Sequence, residues 1–275
     1  MGLTSSSVGI NAVDSAFNII KQNDNDKVIA LAGNPNVGKS TVFNALTGMK
    51  QHTGNWPGKT VAGAQGYCST EKHSFVMVDI PGTYSLLAHS AEEEVARNFI
   101  CFGDPDAVIV VCDATCLERN LNLVLQTMEI SSNVIVCVNL MDEAKRKGIK
   151  IDLKALSREL GTAVVGTSAQ NPKTLDVLLD AMDKAADAPR SPKQPETVRY
   201  PQAVEDSAAL IEPVVKRKYG GRLNSRWLSL KLIDRDASLI KEINTYLGED
   251  ILNDKEVAAA VELAVMNLDV NGIDP

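Results

Sequence analysis

Residues 28–41, VIALAGNPNVGKST, constrain the fold of this chain more strongly than any other stretch. They begin with a short apolar run typical of a buried strand, continue into a loop that contains glycine and proline, and end in apolar residues at helical spacing. The loop has the form G-x-x-x-x-G-K-[ST], whose glycines let backbone N–H groups turn toward phosphate oxygens. The N-terminus of the following helix adds a positive dipole end. The pattern therefore predicts a phosphate-binding loop between a strand and a helix.

Two side chains of this loop have specific predicted roles. Lys39 is expected to reach the β- and γ-phosphates of a nucleotide, and the Ser40 hydroxyl is expected to bind Mg²⁺. The rest of the loop is expected to surround the phosphates. The predicted phosphate-loop residues are Gly33, Asn34, Pro35, Asn36, Val37, Gly38, Lys39, Ser40 and Thr41.

The polar segment after the predicted helix, residues 49–60 (MKQHTGNWPGKT), contains two glycines and one proline and is expected to form a mobile loop that exposes Trp56. We call residues 49–60 the switch segment. In a nucleotide-dependent switch, one threonine of such a loop binds Mg²⁺ and responds to the γ-phosphate. Thr60 is the first candidate because it directly precedes the next predicted strand, and Thr53 is a distant second. The residues of the segment predicted to contact the nucleotide are Gly58, Lys59 and Thr60.

A second phosphate-side motif follows the third predicted strand, where residues 79–82 (DIPG) have the form D-x-x-G. The Asp79 carboxylate at the strand end can hold a Mg²⁺-bound water, and the Gly82 amide can contact the γ-phosphate. D-x-x-G alone is a weak signal, but here it follows Lys39 on the next parallel strand. This order indicates a nucleotide-dependent switch.

Base recognition is predicted at residues 139–142 (NLMD), which follow an apolar strand. The Asp142 carboxylate can accept hydrogen bonds from both N1–H and the exocyclic amine of guanine, a donor pair that adenine lacks. Asn139 is expected to tie this loop to the phosphate-binding loop and to touch the base. The usual pattern has lysine where this chain has Leu140, so the expected affinity is modest.

A small-residue loop after the next predicted strand, residues 167–169 (TSA), completes the predicted base site. The Ala169 amide is expected to contact the guanine carbonyl, and Ser168 belongs to the same predicted contact set. The motifs stand at the carboxyl ends of predicted strands, where open α/β sheets bind ligands. Together they predict that the chain binds GTP and its product GDP.

Strand and helix patterns alternate from residue 28 onward, with six predicted strands and five predicted helices. Such alternation predicts an α/β P-loop GTPase fold, a mostly parallel six-stranded sheet with helices on both faces. After a proline-containing polar stretch, apolar residues recur at helical spacing only, which predicts a small all-helical domain. The predicted divisions are an N-terminal lead-in at 1–27, a GTP-binding domain at 28–187, a linker at 188–198 and a helical domain at 199–275.

Composition limits the classes of function. The formal net charge of −7 argues against a dedicated nucleic-acid binder, so no nucleic-acid partner is expected. Five cysteines without a C-x-x-C pair indicate small buried thiols in a reducing compartment. No segment approaches the roughly 20 apolar residues that cross a bilayer, so this chain itself is expected to be soluble. The three histidines are scattered without metal-ligand spacing and are expected to be solvated.

The stretches GNPNVGKST, TGNWPGKT, DIPGTYSL, DATCLERNL and NLMD together resemble the ferrous iron transport protein B (FeoB) family, within the small GTPase superfamily. RYP at 199–201 and RWLSLKLIDRD at 226–236 are similar to that family's helical domain. The resemblance implies a GTP-hydrolysing regulatory part at the cytoplasmic face of the bacterial inner membrane, attached to a membrane-embedded iron-transport domain. It also implies that the helical domain restrains GDP release.

The resemblance further implies how hydrolysis proceeds. Thr83 stands where many GTPases place the glutamine that orients the attacking water, so another arrangement is required. In relatives that carry the asparagine found here as Asn36, that residue helps to bind K⁺ beside the phosphates, with backbone carbonyls of Gly54 and Trp56 as further ligands. Hydrolysis is therefore expected to be slow, Mg²⁺-dependent and K⁺-stimulated. The catalytic residues are expected to be Asn36, Lys39, Thr60 and Gly82, and the Mg²⁺ ligands Ser40, Thr60 and Asp79.

Several alternatives stay open from the sequence. Asn36 alternatively serves as a turn residue that caps the loop. A second candidate function is a stand-alone ribosome-assembly or tRNA-modification GTPase, although that class normally adds a basic RNA-binding module. A third is a nucleotide-binding scaffold without turnover. The sequence also leaves open whether the chain forms homo-oligomers and how nucleotide state couples to transport.

Overall fold

The computed structural model describes residues 17, 19–48, 51–57, 59–88, 90–188 and 198–273, with the backbone alone at residues 51 and 172. The chain divides into two compact units, Met1–Thr197 and Val198–Pro275. Most of the predicted lead-in and most of the predicted linker lie outside the described residues.

The first unit is built on one seven-stranded sheet. Its strands are β1 (Lys27–Gly33), β2 (Gln51–Asn55), β3 (Ala62–Ser69), β4 (Ser74–Asp79), β5 (Ala107–Asp113), β6 (Val134–Asn139) and β7 (Ala163–Gly166). Their spatial order is β2-β3-β4-β1-β5-β6-β7. Strands β1, β4, β5, β6 and β7 pair in parallel, whereas β3 is antiparallel to both β2 and β4. The predicted α/β fold class with a mostly parallel sheet is confirmed, with seven strands in place of six.

The additional strand is β2, at the edge of the sheet, where the sequence predicts a loop. It pairs with β3 from Gln51↔Gly66 to Asn55↔Ala62. The prediction of a loop throughout the switch segment is wrong because QHTGN lacks the apolar alternation that marks a half-buried strand. The side chains at 52–55 are exposed, and backbone pairing with β3 and a ring contact between His52 and Tyr67 hold this strand.

Helices cover both faces of the sheet in the first unit. Those described are α1 (Lys39–Thr47), α2 (Ala91–Phe102), α3 (Leu117–Ile130), α4 (Met141–Arg146), α5 (Leu153–Leu160) and α6 (Asp176–Asp187). The successive β1 residues Ala30 and Leu31 point to opposite faces, and both are fully buried. Ala30 lies in a core cluster with Phe99 of α2. Leu31 lies in a separate cluster with Phe43 of α1. Burial on both faces explains why the parallel strands appear in the sequence as continuous apolar runs.

The turn between β3 and β4 is fixed to the end of α6 by a polar cluster. Thr70 Oγ1 donates a hydrogen bond to Asp183 Oδ1 over 2.7 Å. The ring nitrogens of His73 lie 3.1 Å from Asp183 Oδ1 and 3.2 Å from Asp187 Oδ1. The expectation that every histidine is solvated is therefore wrong for His73, because the fold brings its ring between two carboxylates.

The second unit is helical within residues 198–273, as the spacing of its apolar residues predicts. Its helices are α7 (Gln202–Tyr219), α8 (Ser225–Asp234), α9 (Ala237–Leu247) and α10 (Lys255–Val270). Asn224, Asp236 and Asp254 cap the starts of α8, α9 and α10, since each side chain accepts a hydrogen bond from a backbone N–H of the first turn. Among all helices that the structure describes, none is long and apolar enough to span a membrane.

Candidate functional site

The phosphate-binding loop connects β1 to α1 and has the backbone conformation that glycine and asparagine allow. Asn36 and Gly38 have positive φ angles of 67° and 81°, and Gly38 forms the N-cap of α1. A Cβ atom at Gly38 would clash with Asn139 Nδ2, so only glycine fits there. The exposed side chains of the loop are those of Pro35, Asn36, Ser40 and Thr41.

Lys39 and Asp79, which are predicted to bind phosphate and Mg²⁺, form an ion pair between Nζ and Oδ1. Both side chains are largely buried, with 11% and 20% of their surface exposed. Burial raises the pKa of the Asp79 carboxyl above its ordinary value, and the ion pair with Lys39 opposes that shift. The two groups therefore meet where α1 begins and β4 ends, and each neutralises the charge of the other.

The D-x-x-G segment lies against the phosphate-binding loop. The backbone N–H of Thr83 donates to Gly33 O over 3.2 Å. A Cβ atom at Gly82 would lie 3.5 Å from Pro35 N, which shows how closely the two loops approach. Thr83 is 2% exposed, and its hydroxyl donates to Ser85 O over 2.6 Å. The side chain after the D-x-x-G glycine is thus turned into the protein, where it cannot orient an attacking water as a glutamine does.

Asn139, at the end of β6, joins the base-side loops to the phosphate-binding loop. Its side chain is fully buried. Nδ2 donates to Val37 O over 3.0 Å, and Oδ1 accepts from Thr167 Oγ1 over 3.2 Å and from Ala169 N–H over 3.1 Å. We call these four residues the Asn139 network. It fixes three separate loops to one another, and it directs the Ala169 amide at Asn139 Oδ1.

Asp142 presents its carboxylate to solvent, with 58% of the side chain exposed. Its backbone N–H donates to Ser168 Oγ over 3.1 Å, which fixes α4 to the loop at 167–169. Arg146 Nη2 lies 3.7 Å from Asp142 Oδ2, an exposed pair of the kind that contributes little. Leu140 has a positive φ of 61° and forms the N-cap of α4. The carboxylate is therefore exposed on a backbone that hydrogen bonds hold in place.

The indole of the switch segment lies in the core. Trp56 is 7% exposed, so the prediction of an exposed tryptophan is wrong. Its backbone N–H donates to Val61 O over 2.8 Å, and its carbonyl accepts from Lys59 N–H over 3.0 Å. Lys59 Nζ lies 2.9 Å from Glu94 Oε2 of α2. Backbone hydrogen bonds and one ion pair thus fold this part of the segment into a turn.

The structure does not bring the predicted K⁺ ligands together. Gly54 lies in β2, and β3 and β4 separate β2 from β1, so three strand spacings place it about 14 Å from β1. Asn36 lies in the loop that directly follows β1. Joining Asn36 to the Gly54 carbonyl therefore requires β2 to move toward β1.

The predicted Mg²⁺ ligands are brought together only in part. Ser40 follows Lys39 in the first turn of α1, beside the ion pair with Asp79. Thr60 is exposed, and within the described ranges no hydrogen bond joins it to Asp79. Gly58 lies outside the described residues.

Two contacts of α2 with the predicted switch regions have no signal in the sequence. The Lys59–Glu94 ion pair joins the switch segment to this helix, and Thr83 Oγ1 lies 3.3 Å from Glu93 Oε1. Acidic residues in a first helical turn are ordinarily explained by the helix dipole. Only the tertiary fold reveals which partner each carboxylate meets.

Comparisons with known proteins match both units of the chain. Residues 27–182 match the family model of ferrous iron transport protein B, and residues 200–270 match that of the FeoB cytosolic helical domain. The Fe(2+) transporter FeoB of Escherichia coli (strain K12) is 38% identical over 212 residues, which are 76% of this chain and 27% of the transporter. The chain therefore spans only about a quarter of the length of this relative.

Solved structures of relatives have the same fold. The cytosolic domain of the T. maritima FeoB iron transporter in its apo form has a TM-score of 0.71 and 34% identity, covering 87% of this chain and 98% of that one. Its GDP form I has a TM-score of 0.73 and 34% identity, covering 88% and 97%. These matches confirm the family resemblance, and they do not favour the ribosome-assembly or tRNA-modification alternative. The chain belongs to the ferrous iron transport protein B family, with a G domain followed by the cytosolic helical domain.

Proposed function

We propose that this chain is the GTP-binding and GTP-hydrolysing regulatory part of a bacterial ferrous iron transporter. In this proposal the G domain spans residues 28–187, a linker spans 188–198, and the helical domain spans 199–275. The observation that carries the proposal is the exposed Asp142 carboxylate beside the buried Asn139 network. A carboxylate in this position pairs with N1–H and the exocyclic amine of guanine, and adenine offers no such pair of donors.

The phosphates bind between β1 and α1. Backbone N–H groups of the loop and the N-terminus of α1 supply positive partial charge to them. Lys39 exchanges its partner Asp79 for the β- and γ-phosphates, because these carry more negative charge than one carboxylate. The Gly82 amide lies close to the loop and donates to the γ-phosphate when the D-x-x-G segment turns toward it.

Mg²⁺ prefers oxygen ligands, and the side chains beside the phosphates supply them. The Ser40 hydroxyl and the Asp79 carboxylate, the latter through a water, would hold the ion. When bound, it neutralises negative charge on the β- and γ-phosphates. Thr60 would complete the set once the switch segment has moved toward the nucleotide.

K⁺ would bind beside Asn36, whose side chain is exposed on the phosphate-binding loop. The Gly54 and Trp56 carbonyls would join it in the nucleotide-bound arrangement only. A cation there supplies the charge that an arginine finger otherwise delivers. Because Gly54 lies in the edge strand β2, hydrolysis in this proposal depends on movement of the switch segment and is therefore slow.

The proposed partner is a membrane-embedded iron-transport domain, whose activity this chain regulates from the cytoplasmic face of the bacterial inner membrane. The family matches of both units support this assignment. The relatives at 37–38% identity are Fe(2+) transporters, of which the chain covers 27%. The helical domain restrains GDP release in this proposal.

The test is phosphate release from GTP, with ATP as the control, in matched K⁺ and Na⁺ buffers that contain Mg²⁺. We expect turnover of GTP only, raised by K⁺ and lost on chelation of Mg²⁺. Equal use of ATP would refute the assignment of the base site to Asp142. Equal turnover in K⁺ and Na⁺, or an Asn36→Asp variant with full K⁺ stimulation, would refute the cation site and leave the GTPase.

A further inference from the structure

Phe17 and residues 19–26 precede β1 and contact the first unit of the chain, and we call them the N-terminal clasp. The match to the ferrous iron transport protein B family model begins only at residue 27. The clasp therefore precedes the matched G domain, yet Ile19 is 8% exposed and belongs to the core cluster of that domain. The clasp is therefore not a loose tail, because one of its side chains packs in the core of the G domain.

The backbone of the clasp is held by two side chains of β3. Ile20 N–H donates to Gln65 Oε1 over 3.0 Å, and Tyr67 Oη donates to Ile20 O over 2.8 Å. Gln65 and Tyr67 are two residues apart on the strand and so lie on the same face of the sheet. Side chains of β3 therefore satisfy both the backbone N–H and the backbone carbonyl of Ile20. The same strand pairs with β2.

A turn then returns the chain into β1. The Asp26 carboxylate accepts hydrogen bonds from the backbone N–H groups of Gln22 over 2.8 Å and Asn23 over 2.9 Å. Asp26 is 5% exposed. These two hydrogen bonds to a buried carboxylate fix the turn between the clasp and β1. The turn in turn sets where Phe17 lies.

Phe17 completes an aromatic cluster around the switch-segment tryptophan. Its ring centroid lies 6.3 Å from that of Trp56 and 5.2 Å from that of Phe99, both in edge-to-face contact. Trp56 and Phe99 are themselves 5.2 Å apart, also edge to face. Such arrangements are attractive beyond the area that they bury. Since Phe99 belongs to α2, Phe17 joins the switch segment to a helix of the G domain.

The buried position of Trp56 needs this support. A Cβ atom at Gly63 would lie 2.6 Å from Trp56 Nε1, so the indole packs directly on the backbone of β3. Among the described residues, Trp56 Nε1 is buried without a hydrogen-bond partner. A buried N–H without an acceptor favours a position in which water can reach it. Packing against Phe17 and Phe99 offsets that tendency.

We propose that the N-terminal clasp holds Trp56 in the core and thereby keeps the switch segment at the sheet edge, away from the nucleotide site. Phe17 acts as a positioning residue for the segment that carries Gly54 and Thr60. The idea rests on the proposed function, because the segment must act on a nucleotide for its position to affect turnover. Release of the clasp therefore favours the arrangement in which these residues reach the phosphates.

The direct test is hydrogen exchange of the full chain without nucleotide, followed by mass spectrometry of peptides that cover residues 51–61. Phe17→Ala is expected to speed exchange there by about threefold to tenfold, since it removes two aromatic contacts. Ile20→Ala is the matched control, because the Ile20 side chain is 55% exposed and its backbone bonds remain. Exchange in β6 should be the same in both variants, which shows that the domain stays folded. Tyr67→Phe, which removes only the bond to Ile20 O, should speed exchange by a smaller factor.

The second readout is phosphate release at saturating GTP. Phe17→Ala is expected to raise kcat about twofold to fivefold, a smaller factor than the rise expected in the exchange rate of residues 51–61. Ile20→Ala should leave kcat unchanged. Unchanged exchange over 51–61 in Phe17→Ala overturns the proposal, and so does faster exchange with unchanged or lower kcat. If the unmodified chain releases no phosphate from GTP, the proposed function fails, and the exchange result alone then decides whether the clasp holds the segment.

Discussion

The base-binding side and the switch side of the G domain are held by contacts of different kinds. On the base side, the fully buried Asn139 side chain makes three hydrogen bonds, one to the phosphate-binding loop and two to the loop at 167–169. On the switch side, Thr60 is exposed, and Lys59 and Glu94 form an ion pair with 37% and 24% of their side chains exposed. Buried networks in which every group is satisfied fix one geometry, whereas exposed ion pairs contribute little.

This difference separates binding from turnover. The Asn139 network and the Asp142 backbone N–H bond hold the proposed guanine-binding loops in one geometry, so changes there should alter affinity and stability. The groups proposed to act on the γ-phosphate must first move, so changes there should alter the hydrolysis rate at nearly constant affinity. Substitutions on the two sides can therefore test whether the division holds.

Asn139→Ala is expected to have the largest effect, because it leaves buried groups of the phosphate-binding and base-side loops without partners. We expect the free energy of unfolding to fall by about 3 kcal/mol and GDP affinity to fall about a thousandfold. Denaturant unfolding and GDP titration measure the two quantities.

The matched control for this variant is Asn133→Ala, outside the site. Asn133 Nδ2 donates to Asp106 O over 2.6 Å and to Ala185 O over 2.8 Å, so its loss also destabilises the domain. GDP affinity should nevertheless stay within a few-fold of the unmodified chain. Equal losses of affinity in both variants would mean that overall stability, and not the Asn139 network, sets nucleotide binding.

Asp142→Asn tests base recognition without disturbing the network. We expect GTP affinity to fall about a hundredfold, because a charge-assisted hydrogen bond to guanine is lost. Affinity for xanthosine triphosphate should rise, since xanthine carries a carbonyl oxygen where guanine carries its amine. The free energy of unfolding should change by less than about 0.5 kcal/mol, as usual for an exposed position. A large loss of stability would show that the carboxylate has a structural role instead.

Thr60→Ala tests the switch side, where a change should lower the hydrolysis rate and leave nucleotide affinity nearly constant. We expect kcat for GTP to fall about tenfold through loss of a Mg²⁺ ligand, with GDP affinity unchanged. Steady-state phosphate release at saturating GTP and Mg²⁺ measures the effect. Thr53→Ala is the control and should retain full turnover; if it is the more impaired of the two, the assignment of the switch threonine moves to Thr53.

Lys59→Ala should have the smallest effect. The Lys59–Glu94 pair is partly exposed, so we expect less than about 1 kcal/mol from it, and less still in high salt. Glu94→Gln should give the same change, and the double variant should add nothing further when compared by thermal unfolding. A coupling well above this limit would show that polar contacts on the switch side are as strong as those on the base side, and it would remove the contrast.

The base side could be predicted from sequence because its signals are local. The loop from Gly33 to Ser40 follows a buried strand and opens a helix, and both elements appear as predicted. Residues 139–142 and 167–169 likewise follow strands, and the carboxyl ends of parallel strands meet at one edge of the sheet. Order along the chain therefore suffices to place these motifs together.

The switch side could not be predicted, because its structure depends on partners that are distant in the sequence. Strand β2 exists through its pairing with β3 and shows no apolar alternation. Trp56 is buried by Phe17 and Phe99. The sequence around each phenylalanine gives no sign that it packs against Trp56. Polar composition around a glycine-containing loop predicts exposure, and tertiary packing overrides that prediction here.

Gly38 and Asn139 share one small volume, since Asn139 Nδ2 occupies the place that a Cβ atom at Gly38 would take. A side chain at 38 would meet Asn139 Nδ2 and would also be strained by the positive φ, whereas a smaller residue at 139 gives up the bond to Val37 O. Neither residue can be replaced alone without a steric clash or the loss of that hydrogen bond. A substitution at either position therefore perturbs the phosphate-binding loop and the base-side loops together, although the two motifs follow separate strands.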